Sequence, residues 1–213
     1  MIRSTNSTIR ATNGPEEGEP PSEPTPEAGI PRRARDALYD HRTVLLFGEI
    51  STPLASRVSS ELLALAAASD APIRLVIHSP GGHVESGDTI HDVIRFIAPD
   101  VHVIGTGWVA SAAALIYCAA RKEHRFALPH TRFLLHQPMG GVRGPASDIE
   151  IEAAQIAAMK TRLNQIFADA TGRDVDTIAR ETERNFWMSA EEARAYGLVH
   201  RVIGSMRELD APG

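Results

Sequence analysis

Ile73-Arg-Leu-Val-Ile-His-Ser-Pro-Gly-Gly82, then Val84 to Ile97, then Val101-His-Val-Ile104, carries the clearest signal of the fold class. Ile73 to Ile77 is a short apolar run and reads as a buried strand. Ser79-Pro-Gly-Gly82 closes it with a strand-to-helix turn. Ile90, Val93, Ile94 and Ile97 recur at helical spacing, and Val101 to Ile104 is the next strand. Strand, helix and strand in succession predict an α/β fold with a largely parallel sheet and right-handed crossovers.

The pattern extends in both directions. Val44-Leu-Leu-Phe47 is an earlier strand. Ser51-Thr-Pro53 opens a helix, with a capping hydroxyl before a proline in the first turn, and Leu54, Val58, Leu62 and Leu65 follow at helical spacing. Ala110 to Ala120 reads as a largely buried helix. Arg125-Phe-Ala-Leu128 and Arg132-Phe-Leu-Leu135 are short strands. A long helix is expected from Asp148 to Ala170, ended by Thr171-Gly172. Ser189 to Gly197 is a short capped helix with a glycine stop, and Leu198 to Ile203 a final strand. No internal repeat is present.

Composition narrows the function. At 213 residues and 43% apolar content the chain is long enough for one domain with a core. A net charge of −5 without a basic patch argues against nucleic acid. The one cysteine, Cys118, lies among apolar neighbours and is expected to be a buried small hydrophobe; a reducing, cytoplasmic setting follows. No stretch approaches the roughly 18 apolar residues of a membrane span. No apolar h-region marks a secretory signal. Residues 1–36, rich in proline, glycine and glutamate, are expected to be a disordered tail, either a mobile arm or a removable pro-segment. The folded domain is expected over 37–205, with a short polar tail over 206–213.

The chemistry concentrates on two residues. Ser111 lies in Gly107-Trp-Val-Ala-Ser-Ala-Ala-Ala114, small residues at the start of an apolar helix. His136 lies at the end of an apolar strand in Leu134-Leu-His-Gln-Pro138. A hydroxyl and an imidazole so placed suggest acyl transfer. The bland alternatives are a serine capping its own helix and a core histidine bonded to a carbonyl. Gly81-Gly82 can present free N–H groups, and with the N–H of Ala112 would form an oxyanion hole. Gly105-Thr-Gly107 reads as a second small-residue turn leading to Ser111. The histidines show no metal spacing, so neither metal nor cofactor is expected.

These segments resemble the Clp protease proteolytic subunit over roughly Asp40 to Ile203. The resemblance is carried by Ser79-Pro-Gly-Gly82, Gly107-Trp-Val-Ala-Ser111-Ala, Leu128-Pro, His136-Gln-Pro-Met-Gly-Gly141, Gly144-Pro-Ala-Ser-Asp-Ile-Glu-Ile151, Thr182-Glu-Arg-Asn185 and Ser189 to Val199. It implies a crotonase-like α/β fold with a protruding handle helix, and heptameric rings stacked as a tetradecamer around an inner chamber. It implies a serine endopeptidase acting on unfolded polypeptides, fed by an AAA+ Clp ATPase that alone uses ATP. By position Ser111 matches the nucleophile, His136 the base, and Gly82 and Ala112 the oxyanion donors. Gly140 and Gly141 match the strand that aligns substrate. The helix from Asp148 matches the handle joining the rings. Phe96, Phe126 and Ile203 match apolar positions of the ATPase-docking pocket, although Arg74 and Val76 stand where the family often has aromatics.

One position departs from the family. Asn185 falls where the family carries the triad aspartate. Asparagine can orient an imidazole but cannot stabilise an imidazolium by charge; in serine proteases the exchange costs roughly 10⁴-fold in kcat. Three readings follow: a protease subunit; a weakly active or inactive paralogue that builds or regulates a mixed ring with a sister subunit; and a crotonase-fold enzyme acting on acyl-CoA thioesters, against which the Ser111–His136 pair argues.

Overall fold

The computed structural model describes residues 30–209 except Gly140 and Val142. Its strands are β1 (Thr43–Phe47), β2 (Ile73–Ser79), β3 (Val101–Ala110), β4 (Arg125–Ala127), β5 (Arg132–Leu135), β6 (Phe186–Ser189) and β7 (Arg201–Val202). Its helices are α1 (Arg32–Asp40), α2 (Thr52–Ala68), α3 (Val84–Phe96), α4 (Ala112–Cys118), α5 (Ala146–Thr171), α6 (Val175–Glu181) and α7 (Ala190–Tyr196).

The strands form one sheet in the order β1-β2-β3-β4-β7, with β5 pairing β3 and β6. Every pairing is parallel except β5 with β6. β3 is the branch point. Its first half pairs β4 through Val103↔Arg125, and its second half pairs β5 through Trp108↔Arg132 to Ala110↔Leu134. Val44, Leu46, Ile73, Leu75, Ile77, Val103 and Val109 are buried in the core. α4 is buried along its whole length and packs beside α3 and α5.

The helix ends follow from local chemistry. Ser51 accepts from the N–H of Leu54 at 3.4 Å, with Pro53 in the first turn. Ser189 and Glu192 form a reciprocal capping box on α7, and Gly197 ends that helix at φ 95°. Gly172 ends α5 at φ 75°. The Arg42 guanidinium donates to Leu65 O, Ser69 O and Ala71 O at 2.7–3.0 Å, tying down the chain that leaves α2.

Three expectations are corrected. Residues 32–36, assigned to the tail, are the first part of α1; the rest of that tail, residues 1–29, lies outside the described residues. Gly105-Thr-Gly107 is not a turn. It lies inside β3, where the register with β2 shifts between Ile77 and Ser79. Gly107 takes φ 55° there, and a Cβ on it would sit 2.4 Å from His78 Nδ1, so the bulge needs glycine. The final strand is only Arg201–Val202, and a 3-10 turn at Met206–Glu208 with buried Leu209 replaces a free tail up to that point. α6 and β6 carry too weak a periodicity to be read from sequence, and β6 is a strand through its antiparallel pairing with β5.

Tyr117 is fully buried and its hydroxyl donates to Phe126 O at 2.8 Å, joining α4 to β4. Tyr117→Phe should lower stability by about 1–2 kcal/mol, measured by urea denaturation.

Candidate active site

Ser111 follows directly on β3 and its N–H donates to Leu134 O at 2.9 Å. That bond extends the β3–β5 pairing by one step. A regular strand would place the Ser111 side chain on the face of Leu135, away from that of His136. Ser111 instead takes φ 57°, ψ −123°, which breaks the alternation. Such a conformation in a non-glycine residue costs of order 1–3 kcal/mol and persists only where its surroundings enforce it.

Those surroundings are identifiable. Gly81 has φ 97°, and a Cβ on it would lie 2.6 Å from Ser111 Cβ and 2.8 Å from Ala110 O. Only glycine lets the β2–α3 turn close against the serine. Gly82 has φ 145° and a Cβ there would meet Ile50 O at 2.3 Å. A parallel bridge between Ile50 and Gly82, with Ile50 N–H donating to Gly81 O and His83 N–H donating to Ile50 O, holds this turn in place. Gly82 N–H and Ala112 N–H have no backbone acceptor among the described residues. They are the donors expected for an oxyanion. Gly81, which the sequence reading assigned only to the turn, is the residue that shapes the elbow; its signal was the doubled glycine itself.

His136 follows β5, and the β5–β6 register, which ends at Leu135↔Phe186, places Asn185 opposite it. Ser111, His136 and Asn185 thus stand at the ends of three adjacent strands. The Ser111 side chain makes no cap bond to α4. His136 Nε2 is buried with no hydrogen-bond partner, neither a carbonyl nor the Ser111 hydroxyl. Burial holds the His136 pKa below the ordinary histidine value, which keeps the ring neutral and able to take a proton.

Asn185 is exposed. Its loop is held by Gln137, whose N–H donates to Thr182 O at 2.9 Å and whose Nε2 donates to Glu183 O at 3.0 Å. Lys160 Nζ donates to Glu183 Oε2 at 2.8 Å. Glu183 is therefore engaged by Lys160 and Gln137, and Glu181 accepts from the Tyr196 hydroxyl. Neither carboxylate takes the place of an aspartate at Asn185. Gln137 and Lys160 are supports that the sequence reading did not assign; Gln137 was visible only as part of the His-Gln-Pro block.

The segment expected to align substrate is less regular than a strand. Gln137 to Met139, Gly141 and Arg143 have no ladder partner among the described residues, and Gly140 lies outside them. Met139 is exposed, and a Cβ on Gly141 would meet nothing within 4 Å. The docking positions divide. Phe96 is 82% exposed, whereas Phe126 and Ile203 are buried in a separate cluster with Ile104, under Leu209. Arg201 donates to Glu208 O at 2.7 Å and secures that cover. Among the described residues no group of three or more His, Cys, Asp or Glu is placed to hold a metal, and no helix is long and apolar enough to cross a membrane.

Comparison with known proteins gives one consistent picture. The family model described as Clp protease matches residues 31–206. ATP-dependent Clp protease proteolytic subunit 3 of Rhizobium meliloti is 60% identical over 172 residues, which are 81% of this chain and 88% of that protein. ATP-dependent Clp protease proteolytic subunit 2 of Pseudomonas aeruginosa is 56% identical over 81% of this chain and 86% of its own. Among solved structures, an asparagine-to-aspartate mutant of ClpP1 from Listeria monocytogenes superposes with a TM-score of 0.77 at 50% identity, covering 82% of this chain and 98% of that one. ClpP1 from the same organism gives 0.76 at 49% identity, over 83% and 99%.

The depressed pKa sets a pH profile. Acylation of Ser111 by a serine-directed probe should rise with pH through a limb below the ordinary histidine value and then stay flat. Asn185→Asp, which adds a negative charge opposite the ring, should move that limb upward. The folded pKa lies below the unfolded one, so the same group removes stability as pH falls from the ordinary histidine value through the lowered one. A probe-labelling series across pH reads the first effect and thermal melts the second.

Proposed function

The chain belongs to the Clp protease family, and from that premise we propose that Ser111, His136 and Asn185 are its catalytic residues. The chain is a proteolytic subunit of a Clp-type serine protease. The observation that carries the assignment of residues is the strained Ser111 backbone at the end of β3, one strand from His136 and two from Asn185.

The reaction follows from these positions. Ser111 Oγ attacks the peptide carbonyl carbon while His136 takes its proton. The carbonyl oxygen becomes an oxyanion, received by Gly82 N–H and Ala112 N–H. His136 returns the proton to the leaving amine, and water repeats the sequence on the acyl-enzyme. One oxyanion donor is typically worth about 10²–10³-fold in kcat. The Asn185 side-chain carbonyl accepts from the other ring nitrogen of His136 and orients it without supplying charge. The deficit against an aspartate is roughly 10⁴-fold, or about 5.5 kcal/mol of barrier. Slow hydrolysis by the isolated chain follows.

Assembly belongs to the same proposal. The chain forms heptameric rings stacked as a tetradecamer, works in the cytoplasm, and receives unfolded polypeptide from an AAA+ ATPase through a pocket that includes Phe96. α5 supports the stacking. It is exposed through its first three turns, with Ile149 and Ile151 41% and 59% exposed, while Leu163 and Phe167 in its second half are buried. An apolar helix half left uncovered in one copy is the surface a second copy would cover. A second reading, a weakly active paralogue that builds a mixed ring with a sister subunit, is favoured by Asn185 and by buried Phe126 and Ile203.

Two experiments test these assignments. A fluorophosphonate probe should label Ser111 slowly and leave Ser111→Ala unlabelled. Asn185→Asp should raise peptidase kcat by up to roughly 10⁴-fold; an unchanged rate would remove Asn185 from the triad. Native mass spectrometry of Ile151→Asp should show loss of the stacked species, with an unchanged circular dichroism spectrum. Retention of the stack would remove α5 from the ring seam.

A further inference from the structure

Arg125 is 2% exposed. Its Nη2 donates to Ala170 O at 2.8 Å, at the C-terminal end of α5. Its Nε and Nη1 are buried without a hydrogen-bond partner. A buried guanidinium ordinarily has its donors satisfied and a carboxylate beside it, because an unpaired desolvated charge costs several kcal/mol. No carboxylate lies within ion-pair distance of Arg125 among the described residues.

Arg125 lines a cavity of about 560 Å³ between the end of α3, the turn after α4 and the end of α5. Arg95, Arg121 and Lys122 line it too, and Asp169 is the one carboxylate among the lining residues. Four permanent cations therefore face one anion, in a chain whose net charge is −5. The nearby acids are partly committed. Asp100 meets Arg121 Nη1 at 3.3 Å, Asp169 accepts from Gln165 Nε2 at 2.7 Å, and Asp92 lies 2.9 Å from His91 Nδ1. Arg95 and Lys122 have no ion-pair partner among the described residues, and both are exposed at the rim.

We infer that this cavity is an anion site for a phosphate-class ligand, held by Arg95, Arg121 and Lys122 at its rim with the buried charge of Arg125 behind its floor. Guanidinium forks and an ammonium group match the several acceptor oxygens and the multiple charge of a phosphate better than they match a single carboxylate. No Phe, Tyr or Trp lines the cavity, so no stacking surface is offered to a nucleobase and the phosphate itself is what is recognised. The site is separate from the catalytic one. α4 runs between them, with Ser111 at one end and Cys118 lining the cavity at the other.

The test is isothermal titration of the full chain with inorganic tripolyphosphate at low ionic strength. Saturable binding of one tripolyphosphate per chain is expected. Lys122→Ala and Arg95→Ala, both at exposed positions, should each weaken it by about tenfold. Asp169→Asn, which removes the one lining carboxylate, should tighten it several-fold, an outcome that damage to the fold does not produce. Peptidase or probe-labelling failure leaves this binding readout unaffected. Titrating ADP against bound tripolyphosphate separates the sources: displacement that is weakened by Lys122→Ala identifies the phosphate chain of a nucleotide, and no displacement identifies free phosphate, either result upholding the site. Absence of saturable binding, or equal affinity in the wild type, Lys122→Ala and Asp169→Asn, overturns it.

Discussion

The backbone of Ser111 is the constraint on which the rest of the site depends. Its positive φ is held from two sides: its N–H is bonded to Leu134 O, and its Cβ packs against Gly81. The first contact comes from β5, which also leads to His136. The second comes from the β2–α3 turn, which also carries the Gly82 N–H. The proposed nucleophile, base and oxyanion donor are thus positioned around one residue. A strained residue held in this way needs no reorganisation when the substrate arrives.

Burial and exposure divide the catalytic work unevenly. His136 is half-buried with a free Nε2, which suits a base that must be neutral and unengaged before reaction. Asn185 is exposed on a loop braced by Gln137 and Lys160. The brace fixes where the loop runs; in the proposed triad the asparagine would orient the ring without supplying charge.

The same fold leaves surfaces that one chain does not satisfy. The first half of α5 exposes Ile149 and Ile151, and the segment after Gln137 lacks a pairing strand. In the proposed assembly one would meet a second copy and the other an extended peptide. The cationic cavity at Arg125 is a third such surface, unsatisfied in charge rather than in apolar area. Phe126 and Ile203 show the opposite case, since Leu209 of the same chain covers them.

The alternation of strand and helix, the capped helix starts at Ser51 and Ser189 and the glycine stops were legible in the sequence, and Ser111 and His136 stood out there as candidates. Those are local matters: periodicity, caps and turn residues act within a few positions. β6 and α6 escaped it because Phe186–Ser189 is a strand only by pairing with β5, and short segments without strong periodicity take their state from neighbours. The bulge at Gly107 escaped it because His78, far off in the chain, is what demands a glycine there. Only the tertiary structure decided that three strand ends meet, that Gly81 forms the elbow, and that Arg125 is buried with two idle donors. Each depends on atoms brought together from distant parts of the chain, and no spacing within a local window encodes such a contact.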